Sequence, residues 1–354
     1  MKTAISLLLI LLLTACDAAA TTPTPSPTVV TPIAAAPSPT ATIQSTATPT
    51  PLPHPTPFLR VAPPPCSGHD MVYHTQLALV VLANCLDARL DEPEMSSLWG
   101  WDGSEWYSVS NDGPPPRLLG GVAYDSQSNL FLLFGGRALT VDYTDFWTWD
   151  PIHHWQQLDT PAPGGLSNHL AMVYDPVRER VVLYGGQDLS QQTYTNTWEW
   201  DGAEWLRRAL TGPSLNIHYA LTFDPVHQQV LLLGEGPNQL WGWNGQSWQR
   251  HITGVSPPTR AGARMAYDAA ANQLVLFGGR DYGRRQILRD TWLWDGVNWA
   301  EWTGDGPPPR SHHSMVYDEG RGRVVLYGGI DPQNNEYNDT WEWDGQTWVC
   351  VHNC

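Results

Sequence analysis

Short apolar runs separated by turn residues recur along the chain from about residue 70 to its end. In the last copy, one hairpin is predicted over 314–327, where two β-branched and aromatic runs flank a polar turn and end at Gly328-Gly329. A second hairpin is predicted over 340–351, around Asp344-Gly345, a dipeptide suited to the positive φ angles of a tight turn. Each copy therefore predicts four short strands.

Two anchors show that this pattern occurs six times. The motif Trp-x-Trp-Asp-Gly-x-x-Trp, with small departures, holds 18 of the 19 tryptophans. An aromatic residue, usually followed by Asp, ends the first run of each copy, and we call this the anchor position. It is occupied by Tyr73, Tyr124, Tyr174, Phe223, Tyr267 and Tyr317, at spacings of 51, 50, 49, 44 and 50 residues.

A repeat of this length defines the fold class. Trp341 and Trp343 lie two residues apart on a predicted strand, so their side chains leave the same face and can pack against a neighbouring sheet. A four-stranded sheet with two apolar faces cannot stand alone, and radial stacking of six such sheets buries those faces. We therefore predict an all-β fold, a six-bladed β-propeller with four antiparallel strands per blade and little or no helix.

The amino terminus has the features of a targeting segment. Lys2 precedes an apolar run, 4–13, that is too short to span a bilayer and is typical of a signal peptide. The following Leu13-Thr14-Ala15-Cys16 resembles a bacterial lipobox, which predicts cleavage after residue 15 and lipidation of Cys16. Secretory cleavage without lipidation is the alternative. Lipidation would place the protein on the outer side of a bacterial cytoplasmic membrane or cell envelope.

The next segment cannot build a core. Residues 18–65 contain 14 prolines and 11 threonines, a composition typical of a disordered, semi-extended tether. The predicted organisation is a signal peptide over 1–15, the lipidated cysteine and tether over 16–65, and the propeller over 66–354.

The net charge of the chain limits the classes of molecule that it can bind. The net charge is −16, and the single lysine, Lys2, lies in the leader. Such a chain repels phosphate backbones and anionic headgroups, so we expect no nucleic acid partner and membrane contact through the lipid anchor only. We also expect the folded head to be monomeric.

The repeats resemble the kelch family, which is related to the central domain of galactose oxidase. The resemblance covers 66–354 and rests on glycine doublets after the second strand together with the downstream tryptophans. These doublets are Gly135-Gly136, Gly185-Gly186, Gly278-Gly279 and Gly328-Gly329, whereas the first and fourth copies have Asn84-Cys85 and Gly234-Glu235. The resemblance implies that the loops between blades, and those between strands 2 and 3 of each blade, gather on one face around a central channel. We call this the loop face, and it is the default binding site.

Two sets of basic residues fall at equivalent positions on that face. Arginines lie seven residues before the anchor and histidines five before it, and together they are predicted to form a ligand-binding collar for a carboxylate or sugar acid. The collar consists of Arg117, Arg260, Arg310, His169, His218 and His312. The alternative is structural: repeated positions usually serve the repeat, so these residues would bond backbone carbonyls and neighbouring carboxylates. The loops 280–289, 188–195 and 331–337 are further candidates for recognition.

Four cysteines remain after lipidation of Cys16, and they suggest how the ring closes. Cys66 and Cys85 lie in the first copy, and Cys350 and Cys354 at the carboxyl end. We expect at least one disulfide between these two groups, closing a loop of more than 260 residues. The alternative pairs each group locally, since connectivity cannot be deduced from sequence.

No catalytic, metal or cofactor motif stands out. A copper radical oxidase needs two tyrosines, two histidines and a crosslinked cysteine, and Tyr73-His74 is better explained as a degenerate repeat anchor. Asp145, Asp290 and Asp339 are interpreted as turn and strand-start residues. Two functions are carried forward. The first is a non-catalytic surface module that binds a glycan, peptide or envelope protein through the loop face. The second is a sugar-processing enzyme resembling the kelch mutarotases that act on sialic acid.

Overall fold

A computed structural model describes residues 59–85, 98–138, 141–161, 163–213, 219–234 and 239–354. These residues form six antiparallel sheets, the blades, each containing a four-stranded meander made by one continuous segment. Two short two-stranded sheets accompany them, Leu166–Asn168 with Gln187–Asp188 and Arg280–Asp281 with Gln286–Ile287. We number the blades in chain order and the strands of each blade from 1 to 4. Blade 1 contains Asp70–His74, Leu79–Ala83, Leu98–Trp101 and Trp106–Ser110; blade 2 contains Gly121–Asp125, Leu130–Ala138, Val141–Asp150 and His154–Leu158; blade 3 contains Ala171–Asp175, Arg180–Tyr184, Thr197–Trp200 and Trp205–Ala209. Blade 4 contains Ala220–Asp224, Gln229–Leu233, Leu240–Trp243 and Trp248–His251; blade 5 contains Arg264–Asp268, Gln273–Phe277, Thr291–Trp294 and Trp299–Trp302; blade 6 contains Ser314–Asp318, Arg323–Tyr327, Thr340–Trp343 and Trp348–His352.

The blades close into a ring. The first strand of each blade contacts the first strands of its two neighbours, and this includes the contact between blade 6 and blade 1. Strand 1 is therefore the innermost strand and lines a central channel. In the described part of the chain the only helical element is a short 3-10 turn at Pro163–Gly165. The predicted six-bladed, nearly helix-free propeller is confirmed.

The second tryptophan of each motif joins neighbouring blades. Trp343 is fully buried and belongs to one apolar cluster with Val275 and Phe277 of the preceding blade. Trp101 does the same with Val325 and Tyr327, across the junction between blades 6 and 1. Burial of such a ring stabilises the fold by a few kcal/mol, about 25 cal/mol per Å² of apolar surface. The Trp-x-Trp spacing thus encodes the packing between sheets.

The glycine doublets are required because their backbone has a positive φ and because the next blade lies too close to leave room for a side chain. Gly278 has a φ of +62°, and a Cβ there would lie 2.6 Å from the carbonyl oxygen of Arg310 in the next blade. Gly328 repeats this relationship with the carbonyl oxygen of Cys66, at 2.7 Å. Only glycine combines that φ with the absence of a side chain. In blade 1, Asn84 takes the doublet position with a φ of 60°, a conformation that Asn tolerates better than most residues.

The predicted disulfide between the chain ends is wrong. Cys66 pairs with Cys85 inside blade 1, with a Cα–Cα distance of 5.5 Å, and Cys350 pairs with Cys354, at 6.0 Å. Each thiol has a partner within its own blade or tail, so none crosses from blade 6 to blade 1. The local alternative is the one observed.

Packing and hydrogen bonds hold the ring closed where the two ends meet. The indole Nε1 of Trp106 donates to Oγ1 of Thr340 at 2.9 Å, as Trp348 does to Thr291 at 3.0 Å between blades 5 and 6. The backbone N–H of Gly329 donates to the carbonyl of Cys66, at 2.9 Å. The last junction therefore repeats the contacts of an internal one and needs no covalent closure.

Residues before the predicted start of the propeller at residue 66 also pack on blade 1. Leu59–Arg60 forms a fifth strand on blade 1, pairing with Ser108 and Tyr107 of its outer strand. The tyrosine hydroxyl of Tyr327 then donates to the carbonyl of Pro63, at 2.9 Å. Residues 59–65, which the sequence analysis assigned to the tether, thus pack on the blades. The signal peptide, Cys16 and the tether up to residue 58 lie outside the described residues.

Candidate functional site

The central channel contains two chambers that share one apolar ring. The ring lies two residues before the anchor position and consists of Met71, Val122, Met172, Leu221, Met265 and Met315. One chamber, of about 70 Å³, lies on the loop face, and the other, of about 480 Å³, opens between the turns that join strands 1 and 2. We call them the loop-face chamber and the turn-face chamber.

The loop-face chamber has an asymmetric wall. Three residues before the anchor, blades 2, 3 and 4 carry Gly121, Ala171 and Ala220, which leave space. Blades 5 and 1 carry Arg264 and Asp70 at the same position, on either side of Ser314 in blade 6, which completes this set of six. The same repeat position thus carries small residues in blades 2, 3 and 4 and charged residues in blades 5 and 1. At this position the six blades are not equivalent.

Arg264 reaches across this chamber and makes only long contacts. Its Nη2 lies 3.6 Å from Oδ1 of Asp70, and its Nη1 donates to the carbonyl of Tyr219 at 3.4 Å. The Arg264 side chain is 19% exposed and that of Asp70 is 24% exposed, so both can meet a solute in the channel. Guanidinium offers five N–H donors in a planar fork that matches a carboxylate.

Burial dominates the ionisation of Asp70. It raises the pKa of the Asp70 carboxyl to about 6, against the opposing effects of Arg264 and of a hydrogen bond from Asn84. The Asp70 carboxyl therefore gains or loses its proton at a pH just below neutral, near its pKa of about 6. A group with such a pKa can accept or release a proton under physiological conditions.

The two described histidines of the predicted collar precede lining residues of this chamber in the sequence: His169 is followed by Leu170, and His312 lies two residues before Ser314. His169 and His312 have positive φ angles of 53° and 57°. The residues at this position in most other blades, including Gly68 and Gly262, also have positive φ angles. Backbone hydrogen bonds link these residues from blade to blade: Gly68 N–H donates to His312, and His312 N–H to Gly262, at 2.9 and 2.7 Å. His218 lies outside the described residues.

Both described histidines are neutral at physiological pH. Burial lowers the pKa of His312 to about 4, assisted by Arg264 and Arg280. Burial and Arg137 lower the pKa of His169 to about 4, while Asp142 opposes the shift. A neutral imidazole offers one donor and one acceptor, so these two side chains suit hydroxyl groups better than they suit anions.

The arginines of the predicted collar are instead buried between strands. Arg310 is 0% exposed, and its Nη1 and Nη2 each donate to Asp339, at 2.7 Å. It also donates to the carbonyls of Pro308 and Gly328 and lies over the ring of Tyr337. Arg117 pairs with Asp145, and Arg260 with Asp290, in the same arrangement. These contacts correspond to the structural alternative, and Asp145, Asp290 and Asp339 are the carboxylate partners.

The variable loops carry further polar and aromatic side chains. In the loop 280–289, the guanidinium of Arg280 lies 5.9 Å from the ring centre of Tyr282, which is 56% exposed. In the loop 188–195, the hydroxyl of Tyr194 donates to Asp188 at 2.8 Å. In the loop 331–337, Asp331 accepts backbone hydrogen bonds from Gln333 and Asn335. The loops thus present Tyr, Arg and amide groups on defined turns.

Sequence reasoning missed Asp70 and Arg264. Neither residue belongs to a motif, and motif searching selects positions that repeat. The available signal was a position that varies: three residues before the anchor, the copies carry either a small or a charged residue, while the position that follows is apolar in all six. On an innermost strand, that contrast indicates a specific site.

Two further observations concern the described residues. Their side chains include no group of three or more His, Cys, Asp or Glu arranged to hold a metal ion. Among these same residues, we find no helix with the length and apolar character needed to cross a bilayer.

Comparisons with known proteins agree with the fold. Residues 237–353 match the family described as the KLHDC2/KLHL20/DRC7 Kelch-repeats domain. The solved structure described as "Structure of YjhT" is 13% identical, with a TM-score of 0.61, over 82% of this chain and 99% of that one. In all, 578 chains of solved structures match, so the fold is shared too widely to specify a function. No curated protein matches the sequence. The structure and these matches together identify the chain as a six-bladed β-propeller in which residues 237–353 match a Kelch-repeats family.

Proposed function

We propose that this propeller is a non-catalytic, monomeric binding module that holds the acidic sugar of a glycan at its loop face. The observation that carries the proposal is Arg264: a partly exposed guanidinium with only long contacts, in a chamber whose opposite wall is built from glycine and alanine. A carboxylate that enters there can accept two N–H groups from one side chain.

The size of the chamber decides how much of the ligand enters it. About 70 Å³ accommodates a carboxylate or a similar small group, not a whole sugar ring. The body of the ligand would therefore lie over the mouth, where the neutral His169 and His312 can exchange hydrogen bonds with hydroxyls. Tyr282 adds an exposed aromatic face of the kind on which sugar rings pack. This arrangement favours a glycan over a peptide or an envelope protein.

Glycan-array screening followed by calorimetry tests the assignment. Arg264→Gln should weaken binding of an acidic glycan by about tenfold or more, because a charge-assisted hydrogen bond contributes about 1.5–3 kcal/mol. Arg180→Gln, on a strand that begins at the opposite face of the blade, is the matched control and should leave affinity unchanged. Equal affinity for acidic and neutral glycans would contradict the proposal, and selective capture of peptides would redirect it to that class.

A sugar-processing activity is the second candidate, and the pKa of Asp70 favours it. A carboxyl group with a pKa of about 6 can shuttle a proton at neutral pH, as exchange between the anomers of a sugar requires. The activity would resemble that of the kelch mutarotases that act on sialic acid. Saturation-transfer NMR on a reducing acidic sugar separates the two functions: a mutarotase accelerates anomer exchange and loses the acceleration in Asp70→Asn, whereas a binding module leaves the exchange rate at its uncatalysed value.

The proposed location follows from the leader. We propose that Cys16 carries the lipid and that the chain up to residue 58 spaces the propeller from the outer side of the cytoplasmic membrane or envelope. Cys16→Ser should release the head into the medium or the soluble periplasmic fraction, because one peptide without acyl chains has no stable anchor. Retention of this variant on membranes after a salt wash would contradict the lipidation.

A further inference from the structure

The turn-face chamber is larger than the loop-face chamber and differs from it chemically. It encloses about 480 Å³ and is closed at its inner end by the apolar ring that separates the two chambers. Methionine occupies four of the six positions of that ring, and its flexible, polarisable side chain adapts to ligands of different shape. The proposed glycan site does not use this chamber.

The wall of the turn-face chamber is aromatic. All six anchor residues line it, namely Tyr73, Tyr124, Tyr174, Phe223, Tyr267 and Tyr317. Several of the tyrosine hydroxyls are engaged at the turns: Tyr124 and Tyr267 bond to Asn129 and Asn272, each at 3.0 Å, and Tyr317 accepts the Ala270 N–H at 2.9 Å. The hydroxyls are thereby held at the turns. Tyr124 and Tyr267 are buried in the apolar clusters between blades, so the partly exposed aromatic rings that line the chamber are those of Tyr73, Tyr174, Phe223 and Tyr317.

One carboxylate stands at the rim. Two residues after the anchor, the blades carry Thr75, Ser126, Pro176, Pro225, Ala269 and Glu319. Glu319 is the one charged side chain among the described residues that line the chamber, and the part of the chain that the structure describes provides no Arg or Lys paired with it. Glu319 is exposed at this rim, so its carboxylate can meet a solute that enters the chamber.

The tyrosine hydroxyls of the chamber wall stay protonated at physiological pH. Burial, followed by Asp318 and Glu319, raises the pKa of Tyr73 to about 12. Burial, followed by Asp224 and Asp268, raises the pKa of Tyr267 to about 12. The tyrosines thus remain neutral phenols, so Glu319 is the one charged side chain among the described residues that line the chamber.

We propose that the turn-face chamber binds an organic cation, a quaternary or alkyl ammonium ion whose apolar body packs on the methionine ring. Aromatic rings attract such ions electrostatically through their π faces, by about 0.5–2 kcal/mol per contact. Glu319 supplies the counter-charge at the mouth, and the apolar floor excludes strongly hydrated ions. An anion finds no donor cluster here, in contrast to the loop-face chamber with its Arg264.

Choline and its neutral isostere 3,3-dimethylbutan-1-ol test the charge requirement, with calorimetry on the purified chain. Choline should bind at least about tenfold more tightly, since the two molecules have nearly the same shape and differ in charge. Equal affinities would overturn the proposal in favour of a plain apolar cavity. Absence of choline binding, or preference for the anion 3,3-dimethylbutanoate, would also overturn it.

Two variants assign the binding to this chamber. Glu319→Gln should weaken choline binding severalfold, whereas Glu301→Gln, an exposed glutamate on the outer strand of blade 5, makes the same change in net charge and should have no effect. Phe223→Leu keeps the chamber apolar and removes one aromatic face, so it should also weaken binding. Near-UV circular dichroism confirms that each variant is folded. An equal loss in Glu319→Gln and Glu301→Gln, or unchanged binding in Phe223→Leu, would refute the site.

Discussion

Arg310 and Asp339 form a two-point ion pair, at 2.7 Å for each bond, that joins the start of blade 6 to the start of its third strand. Both side chains are buried, and Asp339 also accepts a hydrogen bond from the indole of Trp341. The pair therefore fixes the motif tryptophan as well as the loop. Blades 2 and 5 contain the same arrangement, so these three arginines make equivalent structural contacts in three blades.

Removing Arg310 should destabilise the propeller strongly. Arg310→Met leaves Asp339 buried without its counter-charge, which costs about 3–5 kcal/mol in the free energy of unfolding. Arg284→Met is the matched control, because Arg284 is 69% exposed and lies 3.7 Å from its partner Asp281. That exposed pair contributes about 0–1 kcal/mol. Urea unfolding measures both, and equal losses would show that burial of the Arg310 pair has no energetic consequence.

The disulfides should stabilise local segments and leave ring closure to packing. In the chain-entropy relation, the separation of 19 residues between Cys66 and Cys85 corresponds to about 3 kcal/mol, and that of 4 between Cys350 and Cys354 to about 2 kcal/mol. Non-reducing peptide mapping should recover these two pairs. The double variant Cys350→Ser with Cys354→Ser should keep the near-UV circular dichroism spectrum of the closed ring. A mapped bridge from Cys66 to Cys350 or Cys354, or an opened ring in the double variant, would contradict this account.

The junction between the last and first blades should have the same strength as an internal junction. Thr340→Val and Thr291→Val each remove the hydroxyl that accepts an indole N–H, from Trp106 and Trp348 respectively. Both threonines are buried, so each variant leaves a buried donor without a partner and should cost about 1–3 kcal/mol. Urea unfolding should give equal losses within about 0.5 kcal/mol. A much larger loss for Thr340→Val would indicate that the ring is weakest where the chain ends meet.

The elements that the sequence predicts well are those that the repeat encodes. Trp343 and Gly328 have equivalents in several other blades, so alignment of the copies against each other reveals their roles without a structure. The chain-end disulfide was mispredicted because ring closure was expected to bring Cys66 next to Cys350 or Cys354. Cys66 instead bonds to Cys85, which lies 19 residues away in the same blade. Asp70 and Arg264 were missed because their proximity depends on blades 1 and 5 facing the same channel, a relationship that no linear motif records.

Acid should destabilise the protein through histidines that are buried as neutral groups. Burial lowers the pKa of His69 to about 3, although its hydrogen bond with the carbonyl of Tyr327 opposes the shift, and the side chain is 0% exposed. In the unfolded chain the same imidazole binds a proton near pH 6.5. The unfolded state therefore takes up the proton first, and the stabilisation that is complete above pH 6.5 is lost progressively as the pH falls toward 3.

At pH 4.5 this single group should lower the free energy of unfolding by about 2.5 kcal/mol relative to pH 7.5. Burial lowers the pKa of His313 well below its ordinary value and that of His74 to about 4, so these residues add losses of the same sign. In His69→Gln, the decrease between the two pH values should be smaller than in the natural chain by about 2.5 kcal/mol. His154→Gln replaces an exposed imidazole on the outer strand of blade 2 and should leave the decrease unchanged. Urea unfolding of the three proteins at both pH values measures these differences. An equal decrease in the natural chain and in His69→Gln would mean that His69 is protonated in the folded state, in conflict with its burial between blades 1 and 6.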